Sequence, residues 1–169
     1  MPDETAPAPV APPAVGDAAP DATLVATPGN EPLTLSEVWA DGPVVLYFYP
    51  KDATPGCTTE ACDFRDRDAA LAEARATVLG VSPDPPASHE KFIAKQELPF
   101  RLLSDEDKAV ATAYGVWVEK SMYGRKYMGV QRATFLIAEG GTIAAAWPKV
   151  KVKGHADAVL AALADLPSA

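Results

Sequence analysis

The feature that most constrains the fold of this chain is a pair of continuous apolar, β-rich segments separated by a helical pattern. Residues 44–49 read VVLYFY and stop at Pro50, and residues 77–82 read TVLGVS and stop at a proline-rich loop. Such runs are typical of strands that are buried on both faces. Between them, residues 58–76 carry apolar side chains at helical spacing. This strand–helix–strand unit predicts helices packed on a central sheet.

The rest of the pattern extends this unit in both directions. Further helices are predicted over residues 33–39, 88–96, 104–114 and 156–166. Further strands are predicted over residues 100–103, 133–138 and 142–147, the last two joined by the turn sequence Glu139-Gly140-Gly141. Strands that alternate with helices and then form a hairpin predict an α/β three-layer fold with a mixed central sheet.

Length and charge limit the classes of protein to which the chain can belong. Its 169 residues suffice for one domain with a substantial core. Residues 1–20 are almost entirely small, proline or acidic, which predicts a flexible N-terminal arm before a domain of residues 21–169.

A net charge of −8 argues against nucleic-acid or anionic-membrane partners, and no apolar run approaches the roughly 18 residues of a membrane span. The acidic N-terminus lacks the features of a secretory leader, so we predict a cytoplasmic protein.

The two cysteines, Cys57 and Cys62, are the residues best suited to reactive chemistry in this composition. Two are too few for a disulfide scaffold. A zinc site would need both histidines as well, but His89 is expected on a solvated helix and His155 near the start of the last helix. We therefore predict no metal ligands and consider the cysteines as reactive groups.

Cys57 lies where the loop after a buried strand enters a helix. The N–H groups and partial positive charge of a helix N-terminus stabilise a thiolate over a thiol and can hold an oxygen that gains negative charge. Pro50 and Pro55 stiffen this loop, and Gly56 permits close backbone approach. Thr54 places a hydroxyl three residues before the sulfur. Free cysteines are more often small buried hydrophobes, but this placement favours a thiolate suited to attack on a polarised O–O bond.

Cys62 follows five residues later on the same predicted helix. In an intact α-helix that offset separates the two Cα atoms by roughly 8–9 Å, whereas a disulfide needs them within about 7 Å. If Cys57 is oxidised to a sulfenic acid, the first helical turn must loosen before Cys62 can condense with it. The two positions are also about 140° apart around the helix, so a purely structural role for Cys62 in the core is an alternative.

The segment from Tyr49 to Cys62, YPKDATPGCTTEAC, closely resembles the active-site motif of the peroxiredoxin Q subfamily, also called bacterioferritin comigratory proteins. The shorter signature of the superfamily, Pro-x-x-x-Thr-x-x-Cys, is met by Pro50, Thr54 and Cys57. The resemblance continues through residues 114–117 (YGVW), 122–124 (MYG), 132–137 (RATFLI) and 150–155 (VKVKGH). It covers about residues 16–166, and motifs in this order are specific to the subfamily.

The resemblance implies a thioredoxin-like fold and a thiol peroxidase that reduces hydrogen peroxide and organic hydroperoxides. It implies that Cys57 is the peroxidatic cysteine and that Cys62 resolves its sulfenic acid as an intramolecular disulfide. A thioredoxin or similar dithiol protein would then be the reductant, and no metal, haem or flavin would be required. Because an intramolecular disulfide needs no second subunit, we expect a monomer.

Four further residues receive their expected roles from the resemblance alone. It implies that Thr54 contacts the peroxide and the sulfur and that Pro50 shields the site. It implies that Arg132 supplies positive charge to the thiolate, although by pattern alone it is an ordinary surface arginine. Glu60 would orient Arg132, but a glutamate in a first helical turn is equally explained by the helix dipole.

Two other functions are compatible with a pair of cysteines. A thiol–disulfide oxidoreductase that acts on proteins normally uses Cys-x-x-Cys, whereas four residues separate the two cysteines here. A metal-binding or redox-sensing module would need histidines at ligand spacing, which the sequence lacks. The three functions predict different observations, namely peroxide consumption, disulfide exchange without peroxide, and stoichiometric metal binding.

Overall fold

The structure of the protein, a computed structural model, describes residues 10–166. The strands are β1 (Thr23–Thr27), β2 (Glu31–Thr34), β3 (Val44–Phe48), β4 (Thr77–Ser82), β5 (Arg101–Ser104), β6 (Trp117–Met122), β7 (Arg125–Val130), β8 (Ala133–Ile137) and β9 (Ile143–Trp147). The helices are α1 (Leu35–Trp39), α2 (Pro55–Asp66), α3 (Asp68–Glu73), α4 (Pro86–Gln96), α5 (Ala109–Ala113) and α6 (His155–Ala164). Within these residues no helix combines the length and apolar character that a membrane crossing requires.

The central sheet contains seven of these strands in the order β2-β1-β5-β4-β3-β8-β9. The strands β3, β4 and β5 pair in parallel. The flanking pairs are antiparallel, so the sheet is mixed, as predicted. The loop that follows β3 therefore leaves the sheet at the carboxyl edge of its parallel strands, where sites in α/β proteins commonly form.

The side chains of β3 alternate between two cores, one on each face of the sheet. Val44, Leu46 and Phe48 belong to the core covered by α1 and α5. Val45 and Tyr47 belong to the core covered by α2, α3, α4 and α6. All five residues of the strand are buried, and each large apolar side chain buried in this way contributes about 1.5–3 kcal/mol. The predicted three-layer α/β architecture is confirmed.

Two hairpins lie outside the predicted strands. The pair β1–β2 extends one edge of the sheet, so the helix predicted over residues 33–39 begins only at Leu35. The pair β6–β7 forms a separate two-stranded sheet. Most side chains of this second hairpin are exposed, including Tyr123 near its tip at 96%. Strands with exposed side chains lack the apolar pattern by which the buried strands were recognised.

The helix predicted over residues 58–76 is two helices that meet at Arg67. This residue leaves the helical conformation, with φ −108° and ψ 17°. Its side chain donates a hydrogen bond to the carbonyl oxygen of Asp63 (2.9 Å) and forms an ion pair with Asp157 of α6 (2.7 Å). The break between α2 and α3 is therefore held by one local contact and by one contact that is 90 residues distant in sequence.

The helix predicted over residues 104–114 is also shorter than expected, because only α5 is helical there. The carboxylate of Asp105 is buried and accepts the backbone N–H groups of Val110 (3.1 Å) and Ala111 (2.8 Å). It caps α5 from a preceding loop, so the acidic segment at its start is not itself a helical turn.

The N-terminal segment corrects the predicted boundary after residue 20. The backbone N–H of Gly16 donates to the oxygen of Ile143 in β9, and the N–H of Ile143 donates to the oxygen of Asp17 (both 2.9 Å). The hydroxyl of Tyr114 donates to the carbonyl oxygen of Pro20 (2.6 Å). Residues 16–20 thus belong to the folded unit through backbone contacts, which a composition rich in alanine and proline does not reveal. The first nine residues of the predicted arm lie outside the described residues.

Candidate active site

Cys57 is the third residue of α2, at the carboxyl edge of the central sheet. Pro55 opens this helix, and proline suits the first helical position because no partner is needed there for its missing N–H. For this reason α2 begins three residues earlier than predicted. The side chain of Cys57 is only 1% exposed, and its placement in the first helical turn agrees with the prediction.

Arg132 reaches Cys57 from a distant part of the chain, just before β8. Its Nη2 lies 3.3 Å from the sulfur of Cys57, and its Nη1 donates to Oε1 of Glu60 at 2.6 Å. A Cβ atom at Gly56 would lie 3.1 Å from the same Nη2, so glycine leaves room for the guanidinium beside the helix N-terminus. One planar group therefore binds the sulfur and the carboxylate together.

The electrostatics of this group favour a permanent positive charge at the sulfur. Burial alone would lower the pKa of Arg132, but the negative charges of Glu60 and Cys57 raise it above its ordinary value. The guanidinium side chain is 16% exposed, so solvent screens its attraction for a thiolate only in part. Arg132 is thus a fixed cation for the thiolate or for an oxygen bound beside it.

Glu60 is the buried anchor of the arginine. Burial raises its pKa to about 7, although the positive charge of Arg132 acts in the opposite direction. The second carboxylate oxygen, Oε2, is buried without a hydrogen-bond partner among the described residues, as is the hydroxyl of Tyr47. Burial, followed by the charges of Glu60 and Cys57, also raises the pKa of Tyr47. The interior behind the sulfur is therefore poorly solvated, and charges there interact strongly.

The structure places Thr54 and Pro50 on the loop that leads into α2, close to Cys57 in sequence. The hydroxyl of Thr54 donates to the carbonyl oxygen of Lys51 at 2.9 Å, and Thr54 is the residue that precedes the first turn of α2. Among the described residues, its hydroxyl makes no hydrogen bond to the sulfur. Pro50 is half-buried at the start of the loop. The structure thus joins Cys57 and Glu60 through Arg132, with Thr54 and Pro50 on the loop that leads into α2.

Cys62 is a free, half-buried cysteine farther along α2. Its sulfur lies 3.4 Å from Oε1 of Gln96 at the end of α4. Arg65 also donates to the carbonyl oxygen of Gln96, at 2.7 Å, which ties this half of α2 to α4. Because Cys57 and Cys62 both lie within an intact α2, the offset of five residues keeps them apart, as the sequence predicted.

His89 was expected on a solvated helix, and this prediction is wrong. Its side chain is fully buried, and its Nδ1 lies 2.7 Å from the carboxylate of Asp52 in the loop before Cys57. The spacing of His89 and Phe92 is the signal that could have revealed this, since residues three apart share a helix face and Phe92 is buried. The one group in the described chain spaced closely enough for a metal ion consists of Asp52, Asp84 and His89, and neither cysteine belongs to it.

His155 begins α6, as predicted, but it is buried and hydrogen-bonded. Its Nε2 lies 2.8 Å from the hydroxyl of Thr134 in β8. Burial, together with the nearby positive charge of Arg132, lowers its pKa to about 4. The imidazole is therefore neutral in the native protein at pH values where an unfolded chain would already bind a proton.

We expect this histidine to make the fold sensitive to acid. Between its native pKa of about 4 and its unfolded value of 6.5, the unfolded chain binds a proton that the native state does not bind. Stability is therefore lost as the pH falls through this window, by about 3 kcal/mol for the full difference in pKa. The measurement is the free energy of unfolding by urea at pH 4 to 7 for the wild type and for His155→Gln, which cannot titrate. Parallel pH profiles for the two proteins would contradict this expectation.

Comparison with known proteins agrees with this fold and site. A family model described as the AhpC/TSA family matches residues 15–146. The peroxiredoxin bcp of Coxiella burnetii is 51% identical over 149 residues, which are 88% of this chain and 97% of that protein. The peroxiredoxin Bcp of Bacillus subtilis is 48% identical over 152 residues, 90% of this chain and 96% of that protein. A solved structure of the Xanthomonas campestris bacterioferritin comigratory protein has a TM-score of 0.79 at 48% identity, over 85% of this chain and 90% of that one.

The fold and the cysteine site thus define a thiol-dependent peroxidase with the thioredoxin-like fold that the sequence predicted. The chain belongs to the AhpC/TSA family, and the relatives that it matches over most of its length are Bcp, or peroxiredoxin Q, proteins.

Proposed function

We propose that Cys57 is the peroxidatic cysteine, that Cys62 resolves its sulfenic acid, and that Arg132 activates the first of these steps. The observation that carries the proposal is the 3.3 Å contact between Nη2 of Arg132 and the sulfur of Cys57 at the start of α2. A cation and a helix N-terminus on one sulfur both stabilise a thiolate. Free N–H groups and a guanidinium can also stabilise negative charge on a peroxide oxygen.

In the first step the thiolate of Cys57 attacks one oxygen of the peroxide. An S–O bond forms, the O–O bond breaks, and the leaving oxygen takes a proton to become an alcohol or water. Arg132 stabilises the charge on the leaving oxygen. The hydroxyl of Thr54 donates to Lys51, so its lone pairs are free to accept a hydrogen bond from the peroxide O–H. Pro50, half-buried on the same loop, limits the access of water.

In the second step the sulfenic acid condenses with the thiol of Cys62. A disulfide forms and water leaves, so the sulfenic oxygen departs with the thiol proton. The first turn of α2 unwinds to let the sulfurs meet. The contact of Cys62 with Gln96, at 3.4 Å, is a weak hydrogen bond and offers little resistance to this movement.

The proposed substrates are hydrogen peroxide and alkyl hydroperoxides, and the proposed reductant is a thioredoxin-type dithiol protein. The Xanthomonas campestris relative supports the inclusion of alkyl hydroperoxides, because its structural study concerns its alkyl peroxide reduction activity. Exchange of the disulfide for the two thiols of the reductant restores Cys57 and Cys62. The whole cycle takes place within one subunit, so we propose that the protein acts as a monomer. We also propose the cytoplasmic location that the sequence predicts. A dimer in sedimentation at micromolar concentration would contradict this part of the proposal.

The test is oxidation of the fully reduced protein with one equivalent of hydrogen peroxide. We expect the intact mass to fall by two hydrogen atoms and both thiols to disappear. With Cys62→Ser we expect the reaction to stop at a sulfenic acid that dimedone traps on Cys57. Persistence of both thiols while peroxide remains would contradict the peroxidase cycle. With Cys57→Ser we expect no sulfenic acid, and trapping of one on Cys62 in that variant would reverse the two roles.

A further inference from the structure

A buried polar cluster lies directly behind the loop that precedes Cys57. Its centre is the carboxylate of Asp52, which is 6% exposed. The hydroxyl of Tyr49 donates to Oδ1 of this carboxylate at 2.6 Å, and the hydroxyl of Ser88 donates to Oδ2 at 2.8 Å. The Nδ1 of His89 lies 2.7 Å from the same Oδ2. Every one of these contacts brings a donor to Asp52, which is the environment of an ionised carboxylate.

The second ring nitrogen of His89 also faces an acceptor. Its Nε2 lies 3.1 Å from the carbonyl oxygen of Leu103 in β5. Both ring nitrogens therefore lie within hydrogen-bond distance of an oxygen, the carboxylate of Asp52 on one side and the carbonyl of Leu103 on the other. His89 thus joins the loop before Cys57 to β5.

The same contacts leave little room for a metal ion in this cluster. Asp84 lies nearby, but its Oδ2 already accepts the hydroxyl of Ser82 (2.6 Å) and the backbone N–H of Asp52 (2.8 Å). The Nδ1 of His89 faces a carboxylate, which accepts hydrogen bonds and so leaves that nitrogen no lone pair for a cation. The cluster is complete as a hydrogen-bonded group.

The cluster holds the turn that leads into the active site. Asp52 is fixed through both its side chain and its backbone N–H. The next residue, Ala53, has a φ of 65°, a left-handed conformation that alanine rarely adopts and that needs support from its surroundings. The turn closes with the hydrogen bond from Thr54 to Lys51, and Thr54 directly precedes α2. The position of Thr54 beside Cys57 therefore depends on the anchorage of Asp52.

From this geometry we infer that Asp52 and His89 are positioning residues for the peroxide step. They act through Thr54 and the first turn of α2, and they touch neither sulfur nor substrate. His89 lies on α4, so its contact with Asp52 fixes the active-site loop to a helix packed on the sheet. The loop stays in place while the first turn of α2 unwinds to form the disulfide, and refolding of that turn restores the reactive geometry. This role rests on the proposed function of Cys57.

The experiment separates the peroxide step from the rest of the cycle in Asp52→Asn and His89→Gln. We expect kcat/KM for hydrogen peroxide to fall about 10- to 100-fold, the cost of displacing a reacting geometry by a fraction of an ångström to one ångström. Reduction of the preformed disulfide by dithiothreitol should stay within about twofold of the wild type, because the first turn of α2 is already unwound in that state.

Ser88→Ala removes one donor from Asp52 and serves as a milder variant, with an expected loss of about threefold to tenfold. Lys91→Gln is the matched control, since it removes an exposed charge from the same helix and should leave both rates within about twofold.

Equal losses in both steps, or no loss in the peroxide step, would overturn the positioning role. A measurement on the wild type tests the contact between His89 and Asp52 without relying on any variant or on activity. In protein labelled with ¹⁵N-histidine, long-range ¹H–¹⁵N spectra should show a proton on Nδ1 of His89, the nitrogen that faces the carboxylate of Asp52. An Nδ1 without a proton would overturn this hydrogen bond. A wild type that consumes no peroxide but shows this proton would instead contradict the proposed function.

Discussion

Replacement of Cys57 by serine is expected to abolish peroxide reduction, with a loss of about 10⁴-fold or more in kcat/KM. A serine hydroxyl remains protonated beside Arg132, whereas the thiol of Cys57 can ionise there. The oxygen of serine is also smaller and less polarisable than sulfur, so it is a poor nucleophile toward the O–O bond. The fold should survive, because the buried side chain has no polar partner other than Arg132 within residues 10–166, and a hydroxyl can also bind that arginine.

The measurement is stopped-flow consumption of hydrogen peroxide by pre-reduced protein, with circular dichroism as the test of folding. Cys62→Ser is the matched control, since it makes the same chemical change five residues away and should still consume one equivalent of peroxide. Peroxide consumption by folded Cys57→Ser at a rate near that of the wild type would show that another residue is the nucleophile.

The parts of the fold that the sequence predicted are those with buried, continuous apolar runs. The strands β3, β4, β8 and β9 were recognised because both of their faces meet a core, and that environment selects apolar side chains at nearly every position. The hairpin β6–β7 was missed for the opposite reason. Its residues, such as Tyr123 and Met128, are mostly exposed, and its pairing depends on backbone hydrogen bonds that residue type does not specify.

The candidate site was predictable where it is local and unpredictable where it is assembled by the fold. Cys57 was singled out by the strand–loop–helix pattern, whereas the role expected of the neighbouring Thr54 came from the resemblance. Arg132 lies 75 residues from Cys57, and only the resemblance to a known motif identified it. The contact between Asp52 and His89 spans 37 residues and was missed, because a charged side chain in a loop and a histidine on a polar helix are normally solvated.

The second large effect is expected for Arg132→Met, which should lower kcat/KM for peroxide by about 10²- to 10³-fold. Methionine keeps an unbranched side chain, although a shorter one, and removes the charge, so the thiolate and the leaving oxygen both lose their stabilising cation. Arg132→Lys is the matched control. It keeps the charge but cannot bind Cys57 and Glu60 through one planar fork, and an intermediate loss is expected.

The loss of activity in Arg132→Met could come from catalysis or from folding, and the charge of the buried Glu60 carboxyl distinguishes the two. Without Arg132 the buried carboxyl loses the cation that now lowers its pKa, so it binds a proton at neutral pH and avoids an unpaired buried charge. The double variant Arg132→Met/Glu60→Gln removes that charge outright. It should lose as much peroxide activity as Arg132→Met, and its urea concentration at half-unfolding should be similar to that of the wild type. If the double variant instead recovers the wild-type rate, Arg132 serves mainly to neutralise Glu60. In that case the helix N-terminus would be the main stabiliser of the Cys57 thiolate.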